Sequence, residues 1–390
     1  MSNLEINLSD LDYSRLNLTG NPFPYSGIPE QTPEIYVGQE DVLNKISNVL
    51  SPVIKYGRSS HLIISGSYGN GKSHTLRYIQ SQIKKQFENS ELNKPVVGYI
   101  GQPGESMLDI YRDFIYDIGP DYLKSNAQKY IGNCAVQLSR EGKIEEDIKN
   151  NEGWNSIESG DVLLSDVIPE AMIKLSAKTK FPDFSRAFLN LAYEENSITS
   201  WEWISGESIE YSRRREINLT TNIGKRLSQR AFLALKNTLE LTDNTPLILL
   251  IDEFEYIETL QTKTKQNMLN SIRHLMDLNP FGLSIVMACA PEVWEKIISE
   301  YHAFSERIGK EVNLKPLTRE NVGEFIISYL NLKRKLGSDS LGPFTDSAID
   351  KIFVQGQGNA RQIITICSNL LDLSIKEGKK IDEDFVSNLL

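Results

Sequence analysis

Short continuous apolar runs occur before residue 315 and predict the strands of one buried sheet. A continuous run, unlike an alternating one, is typical of parallel strands whose two faces are both covered by helices. The runs are His61–Ser65, Val96–Ile100, Leu247–Ile251, Leu283–Ala288 and Val312–Leu314. Because helical patterns lie between these runs, we expect a three-layer α/β fold with a parallel sheet.

Apolar residues at intervals of three and four predict helices between the strands, and only helices from about residue 315 onward. The predicted helices are residues 42–50, Ser73–Phe87, Ser106–Ile118, Val167–Ser176, Phe184–Tyr193, Thr221–Leu241, Thr318–Leu336, Thr345–Phe353, Ala360–Lys376 and Glu383–Leu390. Thr345, Asn359 and Asp382 are the expected N-caps of the last three, because their side chains can accept backbone N–H bonds.

Changes in these patterns divide the chain into three predicted parts. Residues 1–34 are polar and rich in proline, and predict an extended arm on a domain surface. Residues 35–314 contain the strand signals and form the predicted core, in which residues 120–222 are a mainly helical insertion. Residues 315–390 form a predicted helical lid domain.

Composition narrows the class of protein. The chain has 390 residues with 42 Lys and Arg against 52 Asp and Glu, so its net charge of −10 excludes an overall cationic coat but leaves local basic patches possible. Its three cysteines are far apart and lack metal-ligand spacing, which disfavours a disulfide framework or structural zinc. Without a long apolar run or a signal-peptide pattern, we expect a cytoplasmic protein and no membrane partner.

A phosphate-binding motif follows the first predicted strand. The segment GSYGNGKS fits G-x-x-x-x-G-K-[ST], in which glycines turn backbone N–H groups toward phosphate oxygens at a helix N-terminus. The predicted nucleotide-binding residues are Gly66, Ser67, Tyr68, Gly69, Asn70, Gly71, Lys72 and Ser73, with His74 beside them as a non-catalytic neighbour. Lys72 would reach the β and γ phosphates of ATP, and Ser73 would hold Mg²⁺.

An acidic pair follows the third apolar run, in the segment IDEFE at Ile251–Glu255. Acidic residues at the carboxyl end of a central parallel strand face the crevice where nucleotides bind. We expect Asp252 to hold Mg²⁺ and Glu253 to polarise the attacking water as general base. The alternative for an isolated pair of this kind is a solvated acidic turn.

Together these motifs and the helical C-terminal part resemble the AAA+ class of P-loop ATPases. The segment YVGQEDVLNKI, with the preceding Asn21–Phe23, is similar to initiator (origin-recognition-like) members, and implies that Tyr36, Val37 and Gly38 line an adenine pocket. Because only 29 residues follow Arg361, we do not expect the winged helix of those proteins. The resemblance implies ATP and Mg²⁺ as cofactors and ATP bound between core and lid.

Two arginines receive roles from this resemblance. GNAR at Gly358–Arg361 is similar to the lid motif whose arginine contacts the γ phosphate within the same subunit. Arg307, just before the last strand, corresponds to the arginine finger, which acts on the neighbouring subunit's nucleotide and implies a homo-oligomer. Each could instead be an ordinary surface arginine. Where relatives carry a polar sensor after the fourth strand, Cys289 is only a weak donor, so hydrolysis is expected to be slow.

A second resemblance is to the ATP-binding proteins of BREX-type phage-defence systems. It rests on GSYGNGKSH, on the W-x-W-I-S-G-E segment from Trp201 and on SIRHLMD at Ser271–Asp277. Trp201 and Trp203, placed on a strand or loop, either stack on bases or pack internally. This resemblance implies an ATPase with protein partners that acts in phage defence or mobile-element biology.

Two functional hypotheses remain open from the sequence. The first is an oligomerising switch or motor on DNA or DNA-processing partners, with local phosphate contacts from two basic clusters. Those clusters are Arg213, Arg214, Arg215 and Lys333, Arg334, Lys335. The second is a nucleotide-dependent signalling or scaffold ATPase that binds proteins and not DNA.

Overall fold

A computed structural model describes residues 11–25, 33–90, 94–338 and 340–389. The parts of the predicted arm at residues 1–10 and 26–32 lie outside the described residues. The chain divides into two compact units: one comprises Met1–Lys45, Ile64–Ile79 and Val312–Leu390, the other Ile46–Ile63 and Gln80–Glu311. The boundaries given above for arm, core, insertion and lid stay predictions.

Five strands form one sheet, and each contains a predicted apolar run. They are β1 (Ser60–Gly66), β2 (Val96–Ile100), β3 (Leu247–Ile251), β4 (Leu283–Cys289) and β5 (Lys310–Leu314), in the order β2-β3-β4-β1-β5. β3 pairs in parallel with both β2 and β4, with Ile251 opposite Ile100 and Met287. Every residue of β3 and β4 is buried, as the continuous apolar runs predicted, and the three-layer α/β fold is confirmed.

The helices fill the intervals between strands and the whole C-terminal part. They are α1 (Glu40–Tyr56), α2 (Lys72–Gln86), α3 (Met107–Ile118), α4 (Pro120–Arg140), α5 (Gly153–Glu158), α6 (Leu164–Thr179), α7 (Pro182–Asn190), α8 (Glu194–Ile204), α9 (Tyr211–Glu216), α10 (Ser228–Glu240), α11 (Thr262–Leu278), α12 (Pro291–Glu300), α13 (His302–Ser305), α14 (Arg319–Lys333), α15 (Asp346–Gly356), α16 (Ala360–Glu377) and α17 (Glu383–Leu389). The predicted caps are confirmed, since Thr345, Asn359 and Asp382 accept N–H bonds from Ala348, Gln362 and Phe385.

Two predicted elements were wrong in part. The helix predicted over Thr221–Leu241 begins only at Ser228, because Gly224 sits in a turn whose carbonyl accepts the N–H groups of Leu227 and Ser228. Trp201 and Trp203, expected on a strand or loop, lie in helix α8. Aromatic residues two apart in a sequence do not distinguish a strand from a helix that is buried on two sides.

The helices of the predicted insertion belong to the main hydrophobic core of the second unit. Trp203 is completely buried, packs edge-on against Phe181 at 5.9 Å between ring centres, and donates its indole N–H to the Thr221 carbonyl at 2.7 Å. Tyr111 of α3 donates its hydroxyl to the Ile204 carbonyl at 2.7 Å. The extra length is therefore part of the same folded core.

The described part of the arm does more than lie on a surface. Leu18 and Phe23 are each 1% exposed and complete the apolar core of the lid helices. Phe23 stacks on Tyr329 of α14 at 5.4 Å between ring centres. Asn21 donates its side-chain N–H to Asp372 of α16 at 2.8 Å. The arm thus holds α14 and α16 through apolar burial and hydrogen bonds together.

Candidate functional site

The segment between β1 and α2 has the backbone of an anion-binding loop. Gly69 and Gly71 have φ values of +83° and +89°, in the left-handed region that favours glycine. Apart from Gly71 and its two chain neighbours, no described heavy atom lies within 4 Å of the place that a Cβ atom on Gly71 would occupy, so the space beside this glycine is open. Helix α2 begins directly afterwards at Lys72 and directs its N-terminal N–H groups to the same place. These residues fit a bound phosphate chain.

Lys72 is held across this loop. Its side chain is largely buried, with 9% of the residue exposed, and Nζ donates to the Gly66 carbonyl at 2.8 Å. Ser73, the second residue of α2, is half-buried at the helix N-terminus. The prediction from the motif is that the amine binds phosphate oxygens and the hydroxyl a cation.

The segment expected to line an adenine pocket packs against α2. The Tyr36 hydroxyl lies 3.2 Å from Thr75 Oγ1, and its ring lies 4.9 Å from that of Tyr78. His74 Nε2 hydrogen-bonds the Ile35 carbonyl at 2.6 Å, and burial lowers the pKa of His74. The bond between the His74 ring and the Ile35 carbonyl ties this segment to α2.

Val37 and Gly38 continue this segment toward the lid helices. Val37 packs against the apolar cluster of α14–α16. Gly38 has φ +74°, and a Cβ there would approach Asn321 and Leu317 to 2.8 and 2.9 Å. Only glycine fits this close approach, so the segment is fixed against the first turn of α14.

The lid residues predicted from GNAR contact the phosphate-binding loop. The Arg361 guanidinium hydrogen-bonds the Tyr68 hydroxyl and lies over the Tyr68 ring, with Cζ 4.6 Å from the ring centre. Its backbone N–H donates to the Gly69 carbonyl at 3.3 Å. Asn359 donates its side-chain N–H to the Tyr68 carbonyl at 2.7 Å. Sequence reasoning placed Arg361 at this site but missed Asn359, whose only visible signal was its cap position.

Asp252 and Glu253 follow β3 and differ in environment. Asp252 is 2% exposed, and its Oδ2 accepts the Tyr99 hydroxyl at 2.7 Å while Oδ1 accepts the Glu253 N–H at 2.9 Å. Glu253 is exposed and has φ +45°, unusual for a residue with a side chain. The pair therefore combines a fixed carboxylate with one that reaches solvent. Tyr99 was not foreseen, because its partner is 153 residues away.

The remaining predicted residues have internal partners or are buried. Cys289 ends β4 and is completely buried, with only a thiol to offer as donor. Arg307 is half-exposed and donates Nε–H to Asp277 at 2.7 Å, and this bond raises its pKa further. The structure therefore shows the expected finger arginine engaged within its own chain.

Both predicted basic clusters use part of their charge internally. Arg213 pairs with Glu202, and Arg214 donates to the Ile209 carbonyl at 2.9 Å. Arg215 lies 5.7 Å from the centre of the Tyr211 ring. In the second cluster Arg334 donates to the carbonyls of Ser338, Ser340 and Gly342. Burial of Trp203 also excludes it from stacking on bases, and Trp201 is half-buried against Tyr116.

A parallel α/β sheet with a phosphate-binding loop after β1, an acidic pair after β3 and a helical C-terminal part defines an ATP-binding protein of the AAA+ class. The family model for the BREX system ATP-binding protein BrxC/D matches residues 24–335, and the chain belongs to that family. The resemblance to the BREX ATP-binding proteins is thereby confirmed. The resemblance to initiators is confirmed at the level of fold by two solved structures of an ORC2 protein.

The solved structures agree on the fold. The ORC2 protein of Aeropyrum pernix in ADPNP–ADP complexes matches with a TM-score of 0.50 and 10% identity, over 92% of this chain and 68% of that one. Its ADP form matches with a TM-score of 0.51 and 10% identity, over 93% of this chain and 70% of that one.

A curated relative matches over a shorter stretch. An uncharacterised HTH-type transcriptional regulator of Methanocaldococcus jannaschii is 30% identical over 110 residues, which is 28% of this chain and 27% of the relative. The chain thus spans about a quarter of that relative's length. Among the described helices, none has the length and apolar character needed to cross a membrane.

Proposed function

We propose that this protein hydrolyses ATP with Mg²⁺ and that the nucleotide state controls its assembly with partners in the cytoplasm. The observation that carries the proposal is the phosphate-binding loop itself: an open glycine backbone, a buried Lys72 and lid contacts from Asn359 and Arg361 on the same loop. A flexible glycine turn would not need a buried lysine or a lid arginine.

Each residue receives one role. Lys72 exchanges the Gly66 carbonyl for the β and γ phosphates, and the N–H groups of residues 67–73 bind the remaining oxygens. Ser73 and Asp252 would hold Mg²⁺, which when bound supplies positive charge to the phosphates. Glu253, exposed to solvent, orients and deprotonates the attacking water. The side of the site that receives the adenine is lined by Tyr36, Val37 and Gly38.

Hydrolysis is proposed to be slow until subunits assemble. Cys289 offers only a thiol where relatives use a stronger donor to position water. Arg307 must leave Asp277 before it can act on a neighbouring subunit's nucleotide. An arginine supplied in trans balances charge on the transferred phosphoryl group, so activity should rise with protein concentration. Equal specific activity for monomer and oligomer would contradict the trans role.

The decisive experiment is nucleotide binding by calorimetry with matched lysine variants. Lys72→Ala should abolish ATP binding, whereas Lys85→Ala, an exposed lysine on the same helix, should leave it unchanged. Glu253→Gln should bind ATP normally and fail to hydrolyse it. Unchanged ATP affinity in Lys72→Ala would overturn the assignment of the loop, and normal turnover in Glu253→Gln would exclude Glu253 as the base.

The biological output is proposed from the family, whose description places it in BREX systems, and we assign the ATPase cycle to phage defence. Direct action on DNA is one mode. The internal partners of Arg213, Arg214 and Arg334 favour the second mode, a scaffold that presents a protein-binding surface. ATPase rates with and without double-stranded DNA, and particle size in ATP, separate them: stimulation by DNA supports the first mode, and indifference to DNA supports the second.

A further inference from the structure

Tyr68 occupies one of the variable positions of the phosphate-binding loop, where backbone N–H groups rather than side chains bind phosphate. Its side chain points outward, with 74% of the residue exposed. Even so, Tyr68 makes several of the contacts that join the loop to the lid, beside the Arg361 N–H bond to the Gly69 carbonyl. Arg361 bonds its hydroxyl and covers its ring, and Asn359 bonds its carbonyl.

The position of Arg361 on this ring conflicts with contact to a phosphate. Backbone N–H groups of the loop would bind the phosphates, whereas the Tyr68 ring is a solvent-exposed side chain. A guanidinium is a planar fork of donors. While its face rests on the ring and Nη1 bonds the phenol, this donor is directed at Tyr68.

We propose that Tyr68 is a positioning residue that holds Arg361 away from the phosphate cradle until ATP binds, so that the lid arginine changes partner in response to the γ phosphate. The proposal rests on the proposed ATP site. ADP lacks the γ phosphate and leaves Arg361 on Tyr68. ATP binding must break this contact, and the free energy that this takes lowers the affinity for ATP. The contact therefore restrains the lid in the ADP state and is released in the ATP state.

The asymmetry between nucleotides makes the proposal testable. Because ATP binding must break an exposed cation–π contact and one hydrogen bond, the contact should weaken ATP binding by about two- to fivefold. In calorimetric titrations, Tyr68→Ala should therefore raise the ratio of the affinity for the non-hydrolysable analogue AMP-PNP to that for ADP about two- to fivefold above the wild-type ratio. Tyr68→Phe, which keeps the ring, should give a smaller gain.

Arg361→Ala provides the matched background. In that variant the additional change Tyr68→Ala should leave the ratio of the two affinities unchanged, because the contact is already gone. Equal shifts for AMP-PNP and ADP, weaker AMP-PNP binding relative to ADP in Tyr68→Ala, or the same gain in the Arg361→Ala background would each overturn the proposal. If the wild type binds neither nucleotide, the ATP site itself fails, an outcome distinct from failure of the Tyr68 contact alone. Since Tyr68 is exposed, thermal melting of each variant should match the wild type.

Discussion

The phenolic hydroxyl of Tyr99 in β2 donates to Oδ2 of Asp252 at 2.7 Å, at the point where β3 ends. Tyr99 lies opposite Leu250 in the parallel register, so its side chain reaches past the end of the neighbouring strand. The Glu253 N–H donates to the other oxygen of the same carboxylate. Both oxygens of this nearly buried carboxylate are thereby oriented. Hydrogen-bond partners commonly orient metal-binding carboxylates in this way.

Tyr99→Phe is expected to lower the affinity for Mg²⁺ and to leave nucleotide binding in place. The variant keeps the ring and loses only the donor to Asp252. Loss of such a supporting bond typically lowers metal affinity about tenfold or more, so the Mg²⁺ concentration for half-maximal ATPase activity should rise accordingly. Tyr56→Phe, at a tyrosine that is 63% exposed, is the control and should leave the Mg²⁺ dependence unchanged. An unchanged Mg²⁺ curve for Tyr99→Phe would argue against Asp252 as the magnesium ligand.

Glu253→Gly should raise the free energy of unfolding and abolish ATP hydrolysis. Glu253 has φ +45°, a conformation that costs a residue with a side chain about 1 kcal/mol or more relative to glycine. The variant should have a free energy of unfolding higher by about 1 kcal/mol from relief of this strain. The greater conformational freedom of glycine in the unfolded chain offsets part of the gain. Hydrolysis should be lost because the carboxylate that we propose to activate water is gone.

Gln357→Gly is the matched control for this backbone effect. Gln357 is exposed and has φ +49° at the C-terminus of α15. It should gain similar stability and retain ATPase activity. If Glu253→Gly is destabilised while Gln357→Gly is stabilised, the strained backbone at Glu253 is not the source of an energetic cost.

Local signals account for what could be predicted from the sequence. The loop around Lys72, the acid Asp252 and the N-cap Asn359 each lie within a few residues of the pattern that identifies them. Tyr99, Tyr68 and Phe23 gain their roles from partners that are distant in the sequence: Asp252, Arg361 and Tyr329. Such contacts follow from tertiary packing, which overrides local propensity, and no periodicity in a single sequence indicates them.

Phe23→Ala should destabilise the lid although Phe23 lies in a segment without regular structure. Its ring is 1% exposed and packs between Tyr329 and Phe344. Removal of a buried phenylalanine side chain costs about 3 to 5 kcal/mol. Hydrogen exchange of the α14 and α16 amides should therefore accelerate. Tyr25→Ala, at a residue that is 65% exposed, should change exchange little. Equal exchange in both variants would show that the arm does not support the lid.

His61 in β1 should make stability depend on pH below neutrality. The residue is 7% exposed, and its Nδ1 accepts the Ile285 N–H at 3.2 Å, which places the proton of the neutral ring on Nε2. Burial lowers the pKa of His61 from 6.5 to about 4, and the nearby Asp277 offsets this only in part.

The sign of the pH effect follows from which state binds the proton. Below pH 6.5 the unfolded chain protonates His61 while the folded protein does not, so the free energy of unfolding falls as the pH is lowered toward 4. Between pH 6.5 and 4.5 the loss from this residue should be on the order of 2 to 3 kcal/mol. Urea unfolding at several pH values measures it. His61→Gln should flatten this part of the curve, whereas His302→Gln, at an exposed histidine, should not. Parallel curves for the wild type and His61→Gln would mean that His61 protonates equally in both states.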